Sequence, residues 1–239
     1  MFVPLHDNTP LQVIRFQYVT GALIIINVVV FLLTGAFTTD ERLWVYATGY
    51  GIVPSELVHF VDPANGRNPI PEPLTLITYQ FMHGGWMHLI TNMLFLWVFA
   101  DNIEDAFGHF GFLIFYLLCG VAAGLLHTLM QPQSPAPLIG ASGAVSGVLA
   151  SYLLLYPKAR VWILLFLRIP LPIPAFWALS GWFALQLVSA FISTQNDLEI
   201  GWWAHIGGFL TGLILTLVLR SRLLVGNAPR PALPHREEE

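Results

Sequence analysis

The sequence predicts an all-α integral membrane protein with six transmembrane helices, and three observations lead to that fold class. Of its 239 residues, 56% are hydrophobic and 10% are charged, whereas soluble domains carry about 25% charged residues. The mean hydropathy of the chain is +0.67. The apolar residues also form runs long enough to cross a bilayer, which takes roughly 20 residues for a helix.

Six apolar segments are the predicted transmembrane helices. Their approximate bounds are 17–34, 86–103, 110–130, 140–156, 173–192 and 202–219. The apolar stretch at 161–172, VWILLFLRIPLP, is interrupted by Arg168 and by prolines, so we expect it to be an interfacial connection into the fifth segment. Residues 35–85 form a first outer loop that is too long for a simple connector, and we expect it to contain packed elements of its own.

The basic residues predict the orientation in the membrane, because cytoplasmic loops carry an excess of Lys and Arg. With a cytoplasmic N-terminus, the basic residues on the inner side are Arg15, Lys158, Arg160, Arg168, Arg220, Arg222, Arg230 and Arg236. The outer side then holds Arg42 and Arg67. We therefore expect both termini in the cytoplasm, one membrane domain over residues 1–225, and a disordered, proline-rich cytoplasmic tail at 226–239.

The composition and the motifs argue against several classes of protein. A net charge of −4 without a basic cluster argues against nucleic-acid binding. The HExxH pattern of zinc proteases does not occur in the sequence. An aspartyl intramembrane protease needs two aspartates within the membrane, and only Asp101 lies near the end of a predicted helix. A transporter is a further alternative, but no inverted repeat is evident.

Three of the predicted helices carry polar residues near one end. In the predicted orientation the second, fourth and sixth segments all run from the outer side to the inner side. Their polar residues are His83, His88 and Asn92 in the second, Ser142 in the fourth and His205 in the sixth. At 1.5 Å per residue these groups lie within roughly one helical turn of the same depth. Polar groups in a membrane are costly and face the protein interior, so they indicate a functional site.

Small residues, several at four-residue intervals, predict close packing of the fourth and sixth helices. These residues are Gly140, Gly143 and Gly147 in the fourth segment and Ala204, Gly208 and Gly212 in the sixth. Such ladders allow two helix backbones to approach closely. If the two helices are neighbours, Ser142 and His205 come within hydrogen-bond distance.

A serine beside a histidine is the minimum for nucleophilic acyl transfer, because the imidazole accepts the hydroxyl proton and later returns it to the leaving group. The oxyanion that forms also needs hydrogen-bond donors. Asn92 and His88 offer side-chain donors, and the backbone amide of Ser142 lies near the positive end of its helix. The nearest carboxylates to His205 lie in the preceding loop, so we expect a catalytic dyad rather than a triad.

Several motifs resemble those of the rhomboid family of intramembrane serine proteases. GASG at 140–143 resembles the family's GxSG motif, and AHIGG at 204–208 resembles its AHxGG motif. The residues that resemble the histidine and asparagine positions of the second core helix are His83, His88 and Asn92. The resemblance covers roughly residues 12–222 with the motifs in the expected order, which makes the set highly specific.

Two further stretches are similar to bacterial members of the family. They are GIVPSEL at 51–57 and FADNIEDAFG at 99–108. The short termini and the lack of additional domains likewise favour a prokaryotic protein. We therefore expect a bacterial-type member in the plasma (inner) membrane.

The resemblance implies a six-helix bundle that cleaves transmembrane proteins within the bilayer, near the outer end of their spans. It implies Ser142 as the nucleophile and His205 as the general base and acid. Asn92, His88 and a backbone amide would form the oxyanion hole. The implied partners are transmembrane protein substrates and the lipid bilayer, and neither a metal nor a cofactor is implied.

One position departs from the pattern of some family members. These members have a tyrosine four residues after the serine that stacks on the catalytic histidine, and here that position is Ser146. His205 is therefore either more mobile or held by another residue. The alternative function is that of a catalytically silent relative that binds transmembrane helices for quality control or trafficking. Such relatives lack the serine or the histidine, and both are present here.

Overall fold

The computed structural model describes residues 2–59, 69–165, 168–192 and 201–224, and helices account for most of them. The helices are, in chain order, α1 (Tyr18–Thr34), α2 (Asp40–Tyr50), α3 (Pro54–His59), α4 (Glu72–Thr78), α5 (Trp86–Phe107), α6 (His109–Met130), α7 (Ser142–Leu155), α8 (Ala175–Ile192) and α9 (Trp202–Leu219). Short 3₁₀ turns follow α4 at Tyr79–Phe81 and α9 at Arg220–Arg222.

The helices α1, α5, α6, α7, α8 and α9 occupy the six apolar segments of the sequence. Three helical stretches of the described residues are long and apolar enough to cross a membrane, namely α6, α8 and Trp202–Arg222. Helices α1 and α7 are apolar but shorter. The protein is thus mainly helical and contains helices of a length and hydropathy that suit a membrane span. The count of six spans, the orientation and the domain 1–225 stay predictions. The predicted tail at 226–239 lies outside the described residues.

A small β-sheet corrects the prediction of an all-α fold. Strands β1 (Phe2–Asp7), β2 (Arg160–Leu165) and β3 (Ile169–Pro174) form an antiparallel sheet in the order β1-β2-β3. The expected interfacial connection at 161–172 is therefore most of a hairpin. Its prolines lie in β3, an edge strand, where alternate N–H groups point away from the neighbouring strand and can be missing.

The hydrophobic pattern of β2 explains why this segment is a strand. Val161 and Ile163 are buried in the main hydrophobic core, whereas Trp162 between them is only partly buried. This alternation is the period of a half-buried strand. Tyr152 of α7 holds β1 in place, because its hydroxyl donates a hydrogen bond to the Asp7 carboxylate.

The connection between α1 and α5, predicted as the first outer loop, contains α2, α3, α4 and a 3₁₀ turn, in agreement with the expectation that it has packed elements of its own. The Tyr79 hydroxyl donates a hydrogen bond of 2.6 Å to the Gly120 carbonyl of α6. Ile52 and Leu138 exchange backbone hydrogen bonds of 3.0 and 2.7 Å, and the Gly140 N–H donates to the Tyr79 carbonyl at 2.9 Å. The loop therefore holds the segment that leads into α7.

Two buried carboxylates near the C-terminal end of α5 bind the N-terminal segment. Asp105 accepts hydrogen bonds of 2.7 Å from the backbone N–H groups of residues 12–14. Glu104 accepts from the N–H groups of Val19 and Thr20, at 3.0 and 2.7 Å, and from the Thr20 hydroxyl. The bonds to Glu104 satisfy donors at the start of α1 that have no acceptor within the helix, and those to Asp105 hold the segment before it. Neither carboxylate is exposed, so both act as structural anchors.

We expect Asp105→Ala to destabilise the protein, because three backbone donors lose their shared acceptor. A hydrogen bond to a carboxylate contributes roughly 1.5–3 kcal/mol, so the loss of three of them is expected to cost at least ~2 kcal/mol. The measurement is the thermal unfolding midpoint in detergent. Glu41→Ala removes an exposed carboxylate of α2 and serves as the control. Equal midpoints for the two variants would contradict the anchoring role.

Candidate active site

The site is built on the contact between the backbones of α7 and α9. A Cβ atom at Gly208 would collide with the Gly143 carbonyl oxygen, and one at Gly212 would collide with the Gly147 carbonyl oxygen. A Cβ atom at Gly147 would lie 2.5 Å from the Cys119 sulfur of α6 and 3.1 Å from the Gly208 carbonyl oxygen of α9. Helix α7 therefore packs against both α6 and α9, at distances that side chains at these glycines would prevent.

This contact places Ser142 beside His205. Ser142 is the first residue of α7, and His205 lies in the first turn of α9. The Ser142 Oγ and the His205 Nε2 are 2.8 Å apart, which is hydrogen-bond distance. A histidine nitrogen at this distance from a hydroxyl is placed to accept its proton.

The second ring nitrogen of His205 has a partner that the sequence analysis missed. The Nδ1 of His205 lies 2.8 Å from the Oε1 of Gln186, in α8. Gln186 is 7% exposed, so the contact is shielded. A polar amide within an otherwise apolar helix was the available signal, since such groups face the protein interior in membranes.

Two tryptophans flank His205 in place of the tyrosine found in some relatives. The rings of Trp182 and Trp202 each have centroids 6.0 Å from that of His205. Ser146 takes no part in holding the histidine, because its hydroxyl donates to the Ser142 carbonyl at 2.7 Å. Of the two expectations for His205, the structure matches the one in which another residue holds it.

Because Gly140 has no side chain, the His88 ring can lie close to the backbone two residues before Ser142. The Gly140 φ of +125° disfavours other residues, and a Cβ atom there would lie 2.6 Å from the His88 Nε2. The grouping of Gly140 with the helix-packing glycines is therefore corrected, since it precedes α7 and contacts an imidazole. The Gly84 N–H donates to the His88 Nδ1 at 3.4 Å, so the proton of a neutral His88 ring lies on Nε2.

Asn92 and His83 complete the polar residues around His88. Asn92 is buried one turn further along α5, and its Nδ2 donates to the His88 carbonyl at 2.9 Å. An amide nitrogen has two hydrogens, so this bond uses one of them. The His83 ring lies 5.0 Å from the His88 ring and is fully buried. The structure thus brings together Ser142, His205 and His88, with Asn92 in the next turn.

Comparison with known proteins connects this geometry to a family. The family model for the Rhomboid domain matches residues 71–222, which is more than half of the chain. Rhomboid protein 1, mitochondrial, of Saccharomyces cerevisiae is 28% identical over 156 residues, covering 62% of this chain and 42% of that protein. Presenilin-associated rhomboid-like protein A, mitochondrial, of Danio rerio is 30% identical over 159 residues, covering 64% and 38%.

A third relative has a higher percentage identity over a shorter region. Rhomboid-like protein 11, chloroplastic, of Arabidopsis thaliana is 42% identical over 74 residues, covering 31% of this chain and 26% of the relative. The chain thus spans less than half the length of these relatives. They are eukaryotic and named as mitochondrial or chloroplastic, so they lend no support to the predicted bacterial type or plasma membrane. The matched domain and the relatives together show that the chain belongs to the rhomboid family, which includes both intramembrane serine proteases and inactive members.

Proposed function

We propose that this protein is an intramembrane serine endopeptidase that cleaves transmembrane proteins with a Ser142–His205 dyad. The observation that carries the proposal is the distance of 2.8 Å between the Ser142 Oγ and the His205 Nε2. Family membership alone also allows a catalytically silent protein that binds transmembrane helices. A serine hydroxyl in contact with a histidine ring favours the protease, because a helix-binding function requires neither group.

The proposed reaction begins with attack of the Ser142 Oγ on the carbonyl carbon of the substrate. His205 Nε2 takes the hydroxyl proton as the new C–O bond forms, and the carbonyl oxygen becomes an oxyanion. His205 then gives the proton to the leaving amine as the C–N bond breaks. A water molecule, deprotonated by His205, hydrolyses the resulting acyl-enzyme, and the proton returns to Ser142. None of these reaction steps needs a metal or a cofactor.

The candidate donors for the oxyanion are the Ser142 backbone N–H, the His88 Nε2–H and the Asn92 amide. As the first residue of α7, Ser142 has an N–H without an acceptor within its helix, at the positive end of the helix dipole. The His88 tautomer directs an N–H towards the backbone beside Ser142. Donors fixed before reaction stabilise the developing charge without reorganisation.

We further propose six membrane spans with both termini on the inner side, in accordance with the basic residues. In this orientation α5, α7 and α9 all run inwards, and Ser142 and His205 lie near their outer ends. Substrates would then be cut near the outer end of a transmembrane segment. Small or helix-breaking residues should favour cleavage there, because the substrate helix must unwind before its carbonyl can be attacked.

The first test is cleavage of a single-span reporter protein in liposomes. The wild type is expected to cleave it, whereas Ser142→Ala and His205→Ala should lose at least ~10³-fold in rate, because either change removes the dyad. Ser146→Ala is the matched control, since this serine lies one turn further along α7 and does not contact His205.

Two results would contradict the proposed function. Cleavage that survives Ser142→Ala would exclude Ser142 as the nucleophile. If the wild type cleaves no reporter, a serine-reactive fluorophosphonate probe separates an unsuitable substrate from an inactive site. Labelling of the wild type but not of Ser142→Ala supports the protease, and no labelling of either supports the catalytically silent alternative.

Gly208→Val is expected to abolish cleavage while the protein still inserts into membranes. The added side chain meets the Gly143 backbone, so α7 and α9 must separate and the dyad distance must increase. Gly21→Val is the matched control, because a Cβ atom there has no neighbour within 4 Å. The measurement is the reporter cleavage rate of both variants, and full activity of Gly208→Val would refute the packing argument.

Movement of α8 away from α5 is the proposed route of substrate entry. The rings of Phe95 in α5 and Trp182 in α8 are 6.4 Å apart, so these helices are neighbours at the site. Cysteines at both positions, joined by a short reducible crosslinker, should slow cleavage of membrane-embedded reporters at least ~10-fold. Reduction of the linker in the same sample is the control. An equal rate before and after reduction would exclude this route.

A further inference from the structure

Gln186 is the polar residue among the buried residues of α8. Helix α8 is described in full, and its other buried residues are Ala175, Ala178 and Leu179. Near Gln186, Leu185 and Val188 are 60% and 53% exposed. Gln186 therefore lies on the face of α8 that packs against the protein, whereas Leu185 and Val188 lie on the exposed face. A buried amide is costly without a hydrogen-bond partner. The hydrogen bond to His205 therefore stabilises the buried position of the Gln186 side chain.

The contact determines which nitrogen of His205 carries the proton. A neutral imidazole has one N–H, and a carbonyl oxygen can only accept a hydrogen bond. Since the Gln186 Oε1 is 2.8 Å from Nδ1, the proton lies on Nδ1. The Nε2 lone pair then faces the Ser142 hydroxyl at 2.8 Å. This is the tautomer that a general base needs.

We propose that Gln186 is a positioning residue that holds His205 in its reactive tautomer, by accepting the Nδ1 proton. This inference rests on the proposed function of the dyad and adds to it a third residue from a third helix. The role parallels that of the acidic member of a Ser-His-Asp triad, which orients the histidine and selects its tautomer. Gln186 itself does not touch the reacting atoms.

An amide suits this role in a membrane. A carboxylate would have to be buried as a charge in a medium of low polarity, which is costly. The amide fixes the same tautomer without a charge, but it stabilises the protonated histidine less than a carboxylate would. We therefore expect its loss to cost less than the roughly 10⁴-fold fall in kcat that the wrong tautomer causes in a Ser-His-Asp triad.

The position of Gln186 also links the base to α8. Ser142 and His205 lie on α7 and α9, whose backbones are in contact, whereas Gln186 lies on a helix with few buried residues. A hydrogen bond of this kind extends to about 3.2 Å, so an outward shift of α8 by roughly 1 Å removes it. The dyad consequently has its oriented base only while α8 lies against α9.

The test compares two variants of the same length at one position. Gln186→Met keeps the shape of the side chain but removes the carbonyl acceptor, and we expect kcat to fall about 10- to 100-fold with little change in KM. Gln186→Glu keeps an acceptor for the Nδ1 proton and is expected to stay within about 5-fold of the wild type. Leu185→Met, at an exposed neighbouring position, is the control and should match the wild type. Rates are measured on the liposome reporter.

The tautomer itself is read from the ¹⁵N NMR signals of histidine-labelled protein, in which His205 is identified by comparison with His205→Ala. The wild type is expected to show a protonated Nδ1, and Gln186→Met a shift towards protonated Nε2. A fall in kcat without a change of tautomer would assign Gln186 a merely structural role and overturn the inference.

The outcomes for the two proposals are distinguishable. If the wild type cleaves the reporter and Gln186→Met matches it in both kcat and tautomer, the inference on Gln186 is wrong and the protease proposal stands. If the wild type neither cleaves nor binds the fluorophosphonate probe, the protease proposal fails. The NMR comparison of wild type and Gln186→Met still decides whether Gln186 selects the tautomer.

Discussion

The contact between the backbones of α7 and α9 is the constraint on which the rest of the site depends. Water provides no driving force between helices in a membrane, so association relies on close packing and hydrogen bonds. Gly208 against Gly143 and Gly212 against Gly147 let the two helices meet without intervening side chains. Because Ser142 and His205 lie in the first turns of these helices, the packing distance also sets the distance between them.

The elements around this pair orient it from several directions. The connection between α1 and α5 holds the chain before α7 through Tyr79, and the positive φ of Gly140 lets the His88 ring lie beside it. Helix α8 brings Gln186 to the far side of His205. The two helices that carry the dyad are packed rigidly at glycines, whereas α8 buries few of its residues. The candidate site therefore combines a proposed nucleophile and base on closely packed helices with a proposed orienting group on a less buried helix.

Helix α5 connects the site to the anchored end of the protein. His88 lies near its start, and the carboxylates that bind the N-terminal segment lie about 24 Å away along the helix, at 1.5 Å per residue. There Glu104 and Asp105 satisfy the start of α1 and the preceding segment, and Tyr152 of α7 holds β1. Polar groups near the C-terminal end of α5 thus stabilise the fold, whereas those near its N-terminal end line the candidate site.

Much of the fold and the pair Ser142 and His205 could be predicted from the sequence, because hydropathy, glycine spacing and motifs are properties of neighbouring residues. The sheet could not, since β1 pairs with a strand more than 150 residues later. The prolines of β3 argue against a strand unless the strand lies at an edge of the sheet, so the segment was predicted as an interfacial connection. Gln186 was missed for a similar reason. A single amide in an apolar helix does not indicate its partner, and only the packing of α8 against α9 places it beside His205. Local patterns determined the helices and the residues proposed to react, whereas contacts between distant segments decided how the histidine is held.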